Sequence, residues 1–408
     1  MLSAYIHIPF CRRRCYYCDF PVSVVGDKNP TTGDRINGSN SGTIARYVEF
    51  LCQEIRQQPH ASIPIQPLNT IFFGGGTPSL LAVDQVEQVL QTLDQCFGIA
   101  ANAEISMEVD PGTFDQAQIF GYRAAGVNRV SVGVQAFQEN LLKAAGRSHT
   151  TEDIYRALGY IHAAGFTNIS LDLISGLPHQ TLEDWETNLE KAIALAPTHL
   201  SCYDLTVESV TAFGRQYKPG IKPLPSDETT AEMYRTAHRV LTTAGYSHYE
   251  ISNYAKPGYP CRHNLVYWGN RPFYGFGMGA TSYISGDRFA RPRKTGEYYE
   301  WVELGARDQG GGERQENGNL DLLLDTLMLG LRLQKGLAIA PLVERFGEAE
   351  IARVWQRLQP YCKTGWVAIE PENAIEMAAI ERIKLTNPEG FLFSNVVLTD
   401  LFEEFEEE

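Results

Sequence analysis

A repeated switch of hydrophobic period, from short strand-like runs to helical stretches, constrains the fold of this chain more than any other feature. Six β-branched or aromatic runs, at 4–8, 69–73, 104–109, 129–134, 168–174 and 199–206, are each followed by a segment of helical periodicity. Those segments lie at 45–57, 83–97, 114–124, 139–145, 151–164 and 182–195, and they end near turn formers such as Gly98, Gly126, Gly165 and Pro197. Strand–helix alternation at this spacing builds a parallel sheet. The runs read as nearly continuous in apolar residues, as expected of a sheet covered by helices. Six units are too few to close an eight-stranded barrel. The expected fold is therefore α/β, a partial open (β/α)6 barrel over 1–225, with a doubly wound sheet as the alternative.

The pattern breaks twice. Residues 27–43 hold Lys, Asn, Pro, Thr, Gly and Ser and almost nothing apolar, which predicts an exposed, mobile insertion. Beyond 225 the alternation weakens into a connecting region, 226–304, with an aromatic, glycine-rich stretch at 246–283. A linker is expected at 305–319, and then a smaller helical and hairpin domain, winged-helix-like, at 320–408. The formal net charge of −14 argues against a nonspecific nucleic-acid binder, because phosphate contacts need an excess of lysine and arginine. The acidic end from Glu403 to Glu408 reads as a solvated, frayed terminus. No apolar run approaches the roughly 20 residues that span a bilayer, and the N-terminus lacks a secretion signal. Cys52, Cys96, Cys202, Cys261 and Cys362 are scattered, which suggests reduced thiols and a cytoplasmic location.

Chemistry concentrates at the start. Cys11, Cys15 and Cys18 stand at C-x3-C-x2-C spacing directly after the first strand. A structural zinc site closes with four ligands, and an iron–sulfur cluster usually takes four cysteines. Three thiolates without a local fourth suggest a cluster with one iron left open for another ligand. Gly74-Gly75-Gly76-Thr77-Pro78 follows the second strand, where bare backbone can approach a ligand closely; a tight turn is the bland alternative. Glu108, Gln135 and Asp172 sit at the carboxyl ends of later strands, the ligand side of parallel α/β folds. A lone acid there caps a helix, whereas a set of them lines one cavity. Arg147 follows and suits a carboxylate entering that cavity. The expected ligand carries an amine, a carboxylate and ribose hydroxyls.

Together these features resemble the radical S-adenosylmethionine (SAM) superfamily over nearly the whole chain. The resemblance implies that Cys11, Cys15 and Cys18 bind a [4Fe-4S] cluster whose open iron chelates the amine and carboxylate of SAM, and that reduction can cleave the sulfonium to a 5′-deoxyadenosyl radical. It puts Tyr5 near the sulfonium and the backbone of Gly74, Gly75, Gly76 and Thr77 at the methionine amine. Glu108, Gln135, Arg147 and Asp172 complete the pocket. His7 would support the cluster or sulfonium region, with a core histidine as the alternative.

Within the superfamily, Tyr5-Ile-His-Ile-Pro-Phe-Cys11, Gly133-Val-Gln-Ala-Phe137, Asp172-Leu-Ile-Ser-Gly-Leu-Pro178 and Tyr249-Glu-Ile-Ser-Asn-Tyr254 resemble the coproporphyrinogen dehydrogenase group, which includes the HemW-type haem chaperones. The dehydrogenase carries a further cysteine two residues past the third cluster cysteine, where this chain has Phe20, and an N-terminal extension that this chain does not show. Cys261-Arg-His263-Asn264-Leu-Val-Tyr267-Trp268 matches the His-Asn-x-x-Tyr-Trp motif of the chaperones. His263 or Cys261 can ligate iron, and Tyr267 and Trp268 offer flat apolar area to a porphyrin; an aromatic loop with a hydrogen-bonded His263 is the alternative. The resemblance thus implies a haem carrier with a haem-accepting partner protein, and a reductant for the cluster if it is radical-active. Coproporphyrinogen III dehydrogenation is the runner-up.

Overall fold

The computed structural model describes residues 2–28, 33–58, 66–284, 286–306, 314–315, 318–374 and 377–406. The chain divides into two compact units, Met1–Asp227 with Pro272–Glu316, and Glu228–Arg271 with Asn317–Glu408. The expected connecting region at 226–304 is therefore split: its first part belongs with the C-terminal unit and its second with the barrel.

In the first unit, strands β1 (Leu2–Ile8), β2 (Leu68–Gly75), β3 (Ile99–Val109), β4 (Arg129–Gln135), β5 (Asn168–Ser175) and β6 (His199–Asp204) pair in parallel in chain order. Helix α1 (Gly42–Gln57) leads into β2, α2 (Val83–Phe97) into β3 and α3 (Gln116–Ala124) into β4. The short α4 (Glu139–Ala144) and α5 (Thr151–Ala163) lead into β5, and α6 (Leu182–Ala194) into β6. Capping boxes start α3, α5 and α6, where Asp115, Thr150 and Thr181 accept from N–H groups that would otherwise lack partners. All six expected strands are present, and a seventh, β7 (Tyr274–Phe276), adds in parallel beyond β1. It lies within the aromatic, glycine-rich stretch and is three residues long, too short for a periodic signal.

The expectation of nearly continuous apolar strands needs correction. Successive strand residues point to opposite faces, and here the faces differ chemically. Ile105, Met107, Val109, Val130, Val132, Ile169, Leu171 and Leu200 are buried on one face, as a helix-covered sheet requires. The intervening residues are Ser106, Glu108, Arg129, Ser131, Gly133, Ser170, Asp172, His199 and Ser201. They bond one another across strands, as Ser131 does to Asp172 and Ser170 to His199. The second face is thus a polar wall, which is what an open barrel turns toward a ligand.

The seventh strand is tied in by a buried ion pair. Glu54 of α1 meets Arg291 at 2.9 Å, with side-chain exposures of 0% and 5%. The same carboxylate accepts from Gly277 N and the Tyr298 hydroxyl, both at 2.8 Å. Arg291 also donates to Ser282 Oγ (2.7 Å) and to the Phe289 carbonyl (3.0 Å). Nearby, Tyr47 of α1 donates to His7 O and accepts from Met278 N. These links explain why 272–306 belongs with the barrel.

Among its described residues the insertion is exposed at 33–35, 39 and 42–43, as expected, and it is also fastened to the barrel. Residues 29–32 lie outside the described residues, but Ile36 and Gly38 are buried. Arg12 donates twice to Ile36 O, Gly38 N donates to Leu80 O, and Gln85 donates to Gly38 O. Polar composition indicated exposure, whereas the backbone groups themselves find partners on the barrel. Of the expected linker, 307–313 and 316–317 lie outside the described residues; Arg314–Gln315 pairs with Arg288 and Phe289.

The second unit begins with the helix Asp227–Thr243 and the antiparallel pair Ser247–Glu250 and Asn253–Ala255. After the helix Asn319–Gly330 comes a short strand, Leu337–Ala338, two helices, Ile339–Phe346 and Glu348–Lys363, and the hairpin Val367–Glu370 with Arg382–Leu385. That is the helix–helix–hairpin order of a winged helix. Leu327, Ile351, Val354, Leu358, Ile383, Phe391, Val397 and Leu401 form its core. Glu404 lies against Arg353 in the closing helix Ser394–Glu406, so the acidic end is partly held; Glu407 and Glu408 lie outside the described residues. Among the described residues no helix is long and apolar enough to cross a membrane.

Removing one partner of a buried ion pair strands the other charge, at a cost of about 3–5 kcal/mol. Glu54→Ala should lower stability by that amount, read as a lower urea midpoint at unchanged slope. A change below about 1 kcal/mol would show that Arg291 finds water or another acceptor.

Candidate cluster and cofactor site

The cysteine loop leaves β1 at the carboxyl edge of the sheet. Cys11, Cys15 and Cys18 are free and half-buried. The loop is fastened by Tyr16 N to Ala145 O (3.1 Å) and Phe213 N to Tyr16 O (2.9 Å). Two side chains aim donors at its sulfurs: Thr77 Oγ1 at Cys11 Sγ (3.5 Å) and Arg147 Nη1 at Cys15 Sγ (3.4 Å). Burial pushes the Cys11 thiol up to about 12 and raises Cys18 as well. A thiolate at Cys11 is therefore disfavoured unless a cation lies against it, and a bound metal would supply that charge. Among the described residues no three His, Cys, Asp or Glu side chains gather closely enough to hold a single ion. A cluster that gives each thiolate its own iron makes a different demand, and three thiols faced by a hydroxyl and a guanidinium fit it.

The glycine triplet is explained position by position. A Cβ on Gly74 would stand 3.0 Å from the Tyr5 ring and 3.2 Å from Glu108 Oε1. Gly75 has φ +108°, and a Cβ there would lie 2.4 Å from the His7 ring. On Gly76 it would meet the Phe10 and Ile8 carbonyls at 2.7 and 2.8 Å. Bare backbone thus lets Tyr5, His7, Glu108 and the cysteine loop converge. His7 is buried and neutral, its pKa lowered chiefly by burial. Its Nε2–H donates to Pro21 O (3.1 Å), which leaves Nδ1 to accept from the Tyr5 hydroxyl (3.0 Å). That pairing sets the tautomer and joins the strand to the far side of the cysteine loop.

Glu108 accepts from Gly75 N at 3.1 Å. Burial, and then the negative charge of Asp172, push its carboxyl from an ordinary 4.5 up to about 8. Asp172 accepts from Ser131 at 2.9 and 3.0 Å; burial raises its pKa, against hydrogen bonds from Ser201 and Ser131. Gln135 sits at a register shift of β4 with φ +65°, a left-handed conformation uncommon outside glycine and typical of ligand clamps. Arg147 does not wait unpaired: it ion-pairs with Asp110, and it donates to Gly133 O (3.1 Å). His149 steadies it from behind, Nδ1 at 3.4 Å from Nη2 and Nε2 at 3.3 Å from Val134 O. Burial, then Arg147, lowers the His149 pKa to about 4, so the ring is neutral and can accept. Tyr5, the glycines, Thr77, Glu108, Gln135, Arg147, Asp172 and the three cysteines are thus all carried by the carboxyl ends of the strands and the loops beyond them, within one unit.

A family model described as the Radical SAM superfamily matches residues 5–192, from β1 into α6. The protein named Heme chaperone HemW from Synechocystis sp. is 47% identical over 416 aligned positions, covering 100% of this chain and 97% of that relative. Heme chaperone HemW of Escherichia coli is 40% identical over 72% of this chain and 74% of its own length. The chain belongs to the HemW family of radical SAM proteins. Among solved structures, the coproporphyrinogen III oxidase HemN of Escherichia coli, described as a radical SAM enzyme, aligns with TM-score 0.80 and 25% identity, over 98% of this chain and 89% of that one.

The HemW-type motif lies in the second unit, apart in sequence and in unit from the cysteine loop. His263 and Cys261 are both fully buried. His263 Nε2 lies 2.8 Å from the Tyr267 hydroxyl, one turn along the helix Asn264–Trp268, and Cys261 N donates to the Tyr249 hydroxyl at 3.2 Å. Asn264, Tyr267 and Trp268 are half-buried. Here the structure has the hydrogen-bonded histidine of the bland alternative. Sequence reasoning missed Asp110, Tyr17, His149 and the serines beneath Asp172. The signal was the two-residue alternation: Asp110 follows Glu108 by two, and Ser131 and Ser201 occupy polar positions between apolar ones.

A carboxyl held protonated by the fold contributes stability that is complete below its unfolded pKa and lost as pH rises through the folded value. Unliganded protein should therefore lose stability relative to Glu108→Gln between about pH 4.5 and 8. The thermal midpoints should separate across that window and run parallel above it. A constant separation would mean that Glu108 is ionised in the unliganded fold.

Proposed function

We propose that this protein is a haem chaperone: it binds haem through the 261–268 stretch and hands it to an acceptor protein, while its barrel holds a [4Fe-4S] cluster and SAM. The likeness to the Synechocystis HemW over the whole chain carries this reading. Phe20 supports it, as an exposed phenyl ring where the dehydrogenase has its extra cysteine. Cys11, Cys15 and Cys18 would hold the cluster, which when bound supplies an electron and an open iron for the amine and carboxylate of SAM. Glu108 and the Gly74–Thr77 backbone would receive the amine, and Arg147 the carboxylate. Asp172, held by its serines, and Gln135 would take the ribose. A cytoplasmic location fits eight free thiols, and a cellular reductant would serve the cluster if it is radical-active.

Haem ligation through Nε2 of His263 requires the Tyr267 hydroxyl to release that nitrogen. A haem titration of anaerobically reconstituted protein should give a stoichiometric Soret shift. Tyr267→Phe should retain it, and His263→Ala should weaken binding by about tenfold or more; if Cys261→Ala has that effect instead, sulfur is the ligand. No Soret shift in the unaltered protein would remove the carrier reading.

The likeness to HemN favours a second reading, oxygen-independent decarboxylation of coproporphyrinogen III. Protoporphyrinogen formed in an anaerobic assay with reductant would establish it in place of the first.

A further inference from the structure

Arg147 already has a carboxylate, and one of its donors is still unused. Nη2 ion-pairs with Asp110, and the other contacts of the guanidinium run to Gly133 O, Cys15 Sγ, Tyr17 Oη and His149 Nδ1. Nε is buried without an acceptor in a side chain that is only 7% exposed. A buried guanidinium N–H without a partner is costly, and it marks where an acceptor can enter. Asp110 is 26% exposed, so solvent and ligand reach it. Its Oδ1, Gln135 Nε2 and Arg147 Nη2 stand 2.7, 3.1 and 3.3 Å from the point a Cβ on Gly133 would occupy. The ion pair therefore sits over bare backbone at the strand ends, with Arg147 buried and Asp110 partly open.

We infer that Asp110 is a displaceable counter-ion of Arg147, whose place a ligand carboxylate arriving beside Cys15 partly takes over. The inference rests on the SAM reading above. A carboxylate binds a guanidinium best through two parallel N–H groups. The Nε–Nη2 edge offers such a pair, with Nε vacant and Nη2 held by Asp110. An incoming carboxylate gains Nε and competes for Nη2, and the two anions repel across the shared cation. Without ligand, Asp110 spares the fold an uncompensated buried charge beside the cysteine loop. With ligand, the same residue weakens carboxylate binding, which makes it a positioning and specificity residue.

The test compares SAM with its decarboxylated analogue by equilibrium dialysis against the cluster-loaded protein. Asp110→Asn should bind SAM on the order of tenfold more tightly and the analogue unchanged. Arg147→Gln should narrow the preference for SAM over the analogue on the order of tenfold, leaving the part that the open iron supplies by taking the carboxylate itself. A weaker or unaltered SAM affinity in Asp110→Asn, an equal shift for both ligands, or failure of that variant to fold would overturn the inference. A preference for SAM that is undiminished in Arg147→Gln would overturn it independently of the first variant. If the unaltered protein binds neither ligand, the cofactor reading itself falls, and the inference with it.

Discussion

Everything in the barrel unit depends on a parallel sheet whose two faces have different chemistry. Helices cover one face and make it apolar; the other carries serines, carboxylates, an arginine and a histidine at every second position. Such a face is expensive to bury unless its groups satisfy one another. They do so in cross-strand pairs such as Ser131 with Asp172 and Ser170 with His199. The sheet is therefore both the scaffold and the wall of the site, and the functional residues need no separate platform.

Arg147 is the second organising element. It reaches from the loop beyond α4 to a cysteine of the cluster loop, to the acid after β3 and to the backbone of β4. The long β1–α1 connection is secured on its other side by His7 and by the Arg12 contacts to Ile36 and Gly112. Polar contacts thus hold the cysteine loop on both flanks, although its own sequence is mostly arginine and tyrosine.

Much of this was legible beforehand because it is local. Strand and helix periods placed all six barrel strands within a few residues, and C-x3-C-x2-C and Gly74–Thr77 are motifs of short spacing. Composition reported the exposure of 33–35 and 39 but not the burial of Ile36 and Gly38, which depends on partners far away in sequence. The strands were expected to be nearly continuous in apolar residues although their alternation was visible; helices cover only the outer face, and the other face is polar. His263 shows the opposite case: a motif can be recognised, yet only coordinates reveal that its imidazole already has a partner.

The amino-acid sequence by itself determined the α/β class, the C-x3-C-x2-C loop after the first strand, the glycine-rich strand end and the acids that follow it, because each is written in residue type and short spacing. Only the tertiary structure decided which groups meet. It brought β7 to the edge of β1, paired Glu54 with Arg291 across 237 positions, and set Asp110 against Arg147. Those pairings come from strand register and burial, and no local pattern encodes which distant charge a buried charge will find.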